Sequence, residues 1–303
     1  MHQFTVLLTG LAFFLFGMSQ LGSMLSNFSG GDFAEKINRY TGKDSLKVFT
    51  GFLITTLFQS SGATTAILVS MTSVGLVTVL QSVSFLVGAN IGSITTAWIV
   101  AVKITRAGIF MFAAGVAGNF IFKKDTLVVM SRFLIGLGLI FFGLETMSGT
   151  FSFIKDDPAL IGFMTEYDAA VSVFSMLLLT LAGFIFTALI HSSGATAAMV
   201  IAAVIPGILS FHSGAAIVLG STLGSTFTAV LASIGTSAEG KRTAFLQVFI
   251  NAIELTAGLI LFYPMVSFVI FISGKLGFAN AGFEIALYMT LLKIMLAVMV
   301  FPV

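Results

Sequence analysis

Gln59-Ser60-Ser61-Gly62-Ala63-Thr64-Thr65-Ala66 sets an amide and a run of hydroxyls between strongly apolar stretches, and His191-Ser192-Ser193-Gly194-Ala195-Thr196-Ala197-Ala198 repeats the pattern. Polar groups at such depth are costly unless they meet one another, water or an ion. The two copies therefore read as one binding site.

The chain around them is 57% hydrophobic and 9% charged, with a mean hydropathy of +1.10. A soluble globule of 303 residues would need more polar surface than that. Long apolar runs without period-two alternation predict an all-α integral membrane protein rather than a barrel. A net charge of +2 leaves no footprint for nucleic acid. With no cysteine, disulfides, thiol catalysis and Cys-based metal sites are excluded. The apolar N-terminus has no basic flank and continues to Leu25, so it reads as a spanning helix and not a leader peptide.

In chain order, a first span is expected over residues 4–28. A charged segment follows over 32–47, carrying Asp32, Glu35, Lys36, Arg39, Lys43, Asp44 and Lys47, which fits a short amphipathic element at the interface. The apolar run 48–58 is too short to cross. With the polar run 59–65 and the return 66–80 it forms a re-entrant hairpin, tolerated only where its irregular backbone is buried in protein or faces water. A second element, 83–102, is interrupted at Gly88-Ala89-Asn90-Ile91-Gly92-Ser93, where two glycines flanking an Asn suggest local unwinding; a small-residue packing face is the alternative. Lys103 and Arg106 close it at an interface. Spans over 107–122 and 127–151 lead to an acidic loop with Lys155, Asp156, Asp157, Pro158, Glu166 and Asp168.

The second half replays the first. A constant offset of 132 takes Gln59 to His191, Gly88 to Gly220, Gly92 to Gly224, and Thr55 to Thr187. Gly10 and Gly17 match Gly136 and Gly143 at an offset of 126. Later elements are expected at 171–190, 195–210, 214–234, 243–262, up to 273, and 283–301. This divides the chain into a first repeat, 1–126, a second, 127–270, and an additional C-terminal helix, 271–303. Three crossings per repeat make the two copies face opposite ways, an inverted topology. Lys36, Arg39, Lys43, Lys47, Lys123, Lys124, Arg132, Lys241 and Arg242 fall on one side, against Lys103, Arg106, Lys155 and Lys275 on the other, which places the first group in the cytoplasm.

Inverted repeats with paired broken helices are the signature of secondary transporters. The doubled Gln/His-Ser-Ser-Gly-Ala-Thr run, each copy followed by a Gly-x-x-x-Gly-Ser element, resembles the sodium/phosphate cotransporter family of type II carriers along nearly the whole chain. The resemblance implies a multi-pass protein of the plasma (inner) membrane. It further implies a sodium-coupled symporter of inorganic phosphate working by alternating access, with an elevator-like transport domain beside a scaffold. Sodium ions would be its coupling ions and the lipid bilayer its surroundings, and a homodimer stays open as its assembly. Phosphate is then expected at Gln59, Ser60, Ser61, Gly62, Asn90, His191, Ser192, Ser193 and Gly194. Sodium is expected at Gln59, Thr64, Thr65, Ser93, Thr95, Thr196, Thr222, Ser225 and Thr226. The family's third serine is replaced here by Gly62 and Gly194, its second Gln by His191, and Thr222-Leu223 stands where Asn90-Ile91 has its counterpart.

The residues agree on chemical grounds. Serine hydroxyls and helix N-termini near Gly62 and Gly194 are donors for an anion, and threonine hydroxyls and backbone carbonyls are hard oxygens for sodium. Interhelical hydrogen bonding is the competing role for every Ser and Thr. His191 could donate to the anion, replace an amide or carry a proton. Glu145, Glu254 and Lys293, in or near apolar spans, could relay protons or form a structural ion pair. An intramembrane hydrolase using Ser192 and His191 is disfavoured because the first repeat has no matching pair, so no catalytic residue is assigned. Another anion, sulfate or an organic acid, or a passive channel would fit the same helices.

Overall fold

The computed structural model describes residues 2–26, 43–102, 107–154, 161–162, 164, 166–277 and 280–300. Most of the charged segment expected over 32–47, with Asp32, Glu35, Lys36 and Arg39, lies outside these residues, as do Lys103, Arg106, Lys155, Asp156, Asp157 and Pro158. Among the described residues the chain is helical throughout, with no strand, and seven of its helical stretches are long and apolar enough to cross a membrane. This is a multi-pass integral membrane protein.

The first helix, α1, is His2–Ser26. Helix α2, Asp44–Phe58, begins four residues earlier than the apolar run because Asp44 and Lys47 join its first turn and pair at 2.8 Å. Helix α3, Ser61–Ser73, returns from the first polar run. Fifteen and thirteen residues correspond to about 22 and 20 Å, short of a hydrocarbon core about 30 Å thick. The next span, 79–101, divides into α4, Val79–Gly92, and α5, Ile94–Ala101. Helix α6, Ala107–Ile121, completes the first half of the repeat pattern, and α7, Asp125–Ile154, which carries the counterparts of Gly10 and Gly17, opens the second.

The second half follows the same order. Helix α8, Val173–Ile190, is of spanning length, unlike α2. It is followed by α9, Ser193–Val204, then by α10, Phe211–Gly224, and α11, Phe227–Ala232, which share one span. Helices α12, Ala238–Ile260, α13, Phe262–Leu276, and α14, Ala281–Val300, close the chain.

The glycines of the interrupted helices act in packing, and the expected unwinding lies just beyond them. Helix α4 runs unbroken through Gly88, Asn90 and Gly92, and the break falls at Ser93. A methyl on Gly88 would overlap the Val48 carbonyl oxygen of α2, and one on Gly92 would come within 2.6 Å of the Phe52 carbonyl oxygen. Gly220 and Gly224 approach Thr180 and Phe184 of α8 in the same way. Absent side chains let each pair of backbones lie in contact, as small residues do in membrane interfaces. Gly10 and Gly17 of α1 meet Gly143 and Gly136 of α7, respectively, so these two helices run antiparallel and their glycine pairs face one another in reversed order.

The repeats are also packed through each other. Helix α3 lies on α11 and α12 of the second half, and α9 lies on α5 of the first. Ala195, Ala197, Ala198 and Ala202 of α9 are buried in a core with Phe14 of α1, Ile140 of α7, Val218 of α10 and Ile285 of α14. Replacing Gly88 or Gly220 by Ala should destabilise the protein by about 1–3 kcal/mol or more through overpacking. Gly149, whose added methyl would meet nothing within 4 Å, is the control expected to be neutral or slightly stabilising; thermal unfolding of the three variants in detergent checks this.

Candidate functional site

Both polar runs fold into the same sharp reversal. Helix α2 ends at Gln59 with φ 52° and ψ 27°, and α8 ends at His191 with φ 60° and ψ 22°. Among the described residues these two are the non-glycine positions with positive φ. Left-handed backbone costs roughly 1–2 kcal/mol for a residue bearing a Cβ, so each reversal needs compensation. Ser60 caps α3 by accepting from the Ala63 N–H at 3.1 Å, and Ser192 caps α9 by accepting from the Ala195 N–H at 3.2 Å. The arms of each hairpin are pinned by a threonine pair, Thr55 to Thr64 at 2.8 Å and Thr187 with Thr196 at 2.6 Å.

The two tips meet. Gln59, Ser60, Ser61 and Gly62 from one, and His191, Ser192, Ser193 and Gly194 from the other, line one cavity together with Ser93, Thr96 and Ser225. Its volume is about 10 Å³, close to the space one water needs. The tips are thus closed on each other more tightly than a tetrahedral oxyanion would allow. Among these lining residues His191 is the titratable one. Helices α3 and α9 both begin here, and their N-terminal N–H groups and partial positive charge favour an anion. Among the described residues the hydroxyls of Ser61 and Ser193 have no hydrogen-bond partner, so they remain free to donate.

Among the residues expected to hold sodium, Gln59, Ser93 and Ser225 reach the cavity, and the threonines of that set stand back from it. Thr65 donates to the Ser61 carbonyl, Thr95 to Gly92, Thr222 to Leu219 and Thr226 to Leu223. Thr64 and Thr196 are engaged in the hairpin pairs. Helical geometry explains this, because a threonine hydroxyl finds a carbonyl one turn back. Asn90 also stands back, 3% exposed, with its amide bonded to the Leu86 carbonyl at 3.0 Å and to Lys293 at 3.3 Å. Lys293 pairs with Glu254 at 2.8 Å, a buried ion pair rather than two isolated groups.

Two residues beyond the candidates complete the tips. Thr96 donates to the Gln59 side-chain oxygen at 3.0 Å, and Thr228 lies 3.4 Å from His191 Nδ1. The same residues cross to the opposite tip. A Cβ on Gly194 would sit 2.8 Å from the Thr96 methyl, and one on Gly62 would sit 3.0 Å from that of Thr228. Glycine in place of a third serine is therefore matched by threonine in the facing segment. Thr96 and Thr228 are themselves related by the offset that relates Gln59 to His191, a signal that would have found them. Among the described residues no three His, Cys, Asp or Glu side chains gather as a metal-binding group.

The chain is similar to YqeW of Bacillus subtilis (strain 168), 26% identical over 246 residues that cover 80% of this chain and 77% of YqeW. It is also similar to YjbB of Escherichia coli (strain K12), whose name gives inorganic phosphate export as its proposed role. That match is 24% identical over 287 residues, 93% of this chain and 50% of YjbB, so the chain spans about half that relative's length. No solved structure matches the chain significantly. The family described as Na+/Pi-cotransporter matches residues 13–149 and 172–300, taking in both hairpins and both broken helices. By that match, the chain belongs to the Na+/Pi-cotransporter family and is a transporter, not an enzyme.

Proposed function

We propose that this protein is a sodium-coupled phosphate transporter that takes phosphate between the two hairpin tips. The observation that carries the reading is the convergence of two serine-capped helix N-termini, with the free hydroxyls of Ser61 and Ser193, on one cavity. Backbone N–H groups and hydroxyls at helix N-termini suit phosphate oxygens, and the family supplies the substrate class. None of the described lining residues is a carboxylate that would repel an anion.

Sodium beside the phosphate would offset its charge and so link the two bindings. Ser93 and Ser225 offer oxygens in the cavity wall. Gln59 offers its side-chain oxygen in the same wall, and behind these residues Thr64, Thr65, Thr95, Thr196, Thr222 and Thr226 keep acceptor lone pairs even where their hydrogens are committed. Antiparallel α1 and α7 and the crossed packing of α3 and α9 support an inverted-repeat arrangement over 1–126 and 127–270. In such an arrangement the tips open to opposite sides in turn, an alternating-access cycle in which an elevator-like displacement carries the site.

The name of YjbB favours a second reading, in which phosphate leaves the cell. Proteoliposomes loaded with labelled phosphate, with a sodium gradient imposed in either direction, separate the two. A symporter moves phosphate along the sodium gradient, and movement indifferent to sodium would overturn the coupling. Competition by sulfate and organic acids in the same vesicles tests the anion.

Two sets of variants follow. Ser61→Ala and Ser193→Ala should each lower phosphate transport at least about tenfold while leaving the melting temperature nearly unchanged, because neither hydroxyl supports the fold; ordinary transport by both would remove phosphate from this cavity. Gly194→Ser should destabilise the closed tips by about 1–3 kcal/mol through its clash with the Thr96 methyl. Adding Thr96→Ser, which deletes that methyl and keeps the hydroxyl for Gln59, should recover most of the loss in thermal unfolding.

A further inference from the structure

The buried pair Glu254–Lys293 belongs to a chain of hydrogen bonds that ends at equivalent points of the two broken helices. Lys293 donates to Asn90 Oδ1 at 3.3 Å, and Asn90 Nδ2 faces Gln247 Oε1 at 3.5 Å. Gln247 donates to Asn251 Oδ1 at 3.4 Å, and Asn251 donates to the Thr222 carbonyl at 2.7 Å. Asn90 and Thr222 occupy the same place in the two repeats, each one turn before its break. From there the chain reaches the cavity, since Ser93 Oγ donates to the Asn90 carbonyl at 2.6 Å and Ser225 Oγ to the Thr222 carbonyl at 2.8 Å. Where the second repeat lacks an asparagine at 222, Asn251 of α12 supplies an amide from outside.

We propose that Glu254, Lys293, Gln247 and Asn251 form a clamp that fixes both broken helices at once, and that Lys293 is a positioning residue acting on the cavity through Asn90. Asn251, Glu254 and Asn90 are 0%, 0% and 3% exposed and Lys293 is 4% exposed, and none of the four is among the residues that line the cavity. Charge strength in an apolar interior makes the grip firm, and neutralising one partner alone would strand the other. The clamp rests on the functional reading above only for its consequence on phosphate, not for its geometry.

The test uses Glu254→Met/Lys293→Met, which removes both charges at similar volume, in the full chain. Equilibrium binding of inorganic phosphate should weaken about fivefold to tenfold. In an Asn90→Ala background the same pair of changes should add nothing, because the route is already cut. Equal weakening in both backgrounds, or none in either, overturns the proposal. Hydrogen exchange over residues 90–96 and 222–228 gives a readout independent of phosphate. Faster exchange in both segments together is expected, and unchanged protection in the neutral pair overturns the clamp. Should wild-type protein bind no phosphate, the functional reading fails while exchange still decides the clamp. Asn251→Ala strands no charge and is the second variant; it should speed exchange over 222–228, and failure to do so counts against the clamp even if the double variant does not fold.

Discussion

Every part of this protein answers to the need to reverse a helix inside an apolar body without leaving backbone groups unpaired. A reversal frees carbonyls at the end of one helix and N–H groups at the start of the next, and each left unsatisfied in hydrocarbon costs several kcal/mol. Gln59 and His191 make the turn by adopting left-handed backbone, at roughly 1–2 kcal/mol each. Against this, each serine cap contributes about 1 kcal/mol and each threonine pair about 0.6 kcal/mol or more. The balance is near even. What makes the reversals durable is their burial between repeats, where each tip is packed by the segment that follows the other's break.

That packing depends on glycine. Backbone contact between α2 and α4, and between α8 and α10, fixes the hairpins against the broken helices so closely that a methyl at Gly88 or Gly220 would overlap a carbonyl. The breaks at Ser93 and Ser225 are therefore held at set heights relative to the tips. A cavity formed by four separate chain segments acquires one geometry because two of its walls are tied to the other two by backbone rather than by flexible side chains.

Much of this is legible in the sequence, and the reasons for success and failure are physical. The constant offset between the repeats preserves not only motifs but contacts, so the pairing of Thr55 with Thr64 returns as Thr187 with Thr196. Hydropathy locates most of the spans to within a few residues, although the span expected over 107–122 is a helix of fifteen described residues, shorter than the seven long enough to cross. It brackets the break of the first broken helix within Gly88–Ser93 without fixing it at Ser93, because Gly88-Ala89-Asn90 reads equally as an unwound loop and as a packing face, and only the neighbour at Val48 decides between them. Thr96 and Thr228 give no local signal because their role lies across the repeat boundary, against glycines of the opposite tip. Glu254 and Lys293 are visible as charges in apolar spans, but 39 residues separate them and no local pattern links them.

Firm and weak contacts are unevenly distributed, and this bears on how such a site could open. The broken helices are held by a buried ion pair and amide hydrogen bonds, of which losing one charged partner typically costs about 3–5 kcal/mol. Each tip glycine instead faces a threonine methyl of the segment after the other repeat's break, a contact worth about 0.1–0.2 kcal/mol per atom pair. Admission of an ion larger than water must separate something, and the least costly separation is at these methyl contacts. There are two of them, Thr228 on Gly62 and Thr96 on Gly194, and they share no residue. One can part while the other stays closed, which is the asymmetry that the alternating-access cycle proposed above would require of a nearly symmetric pair.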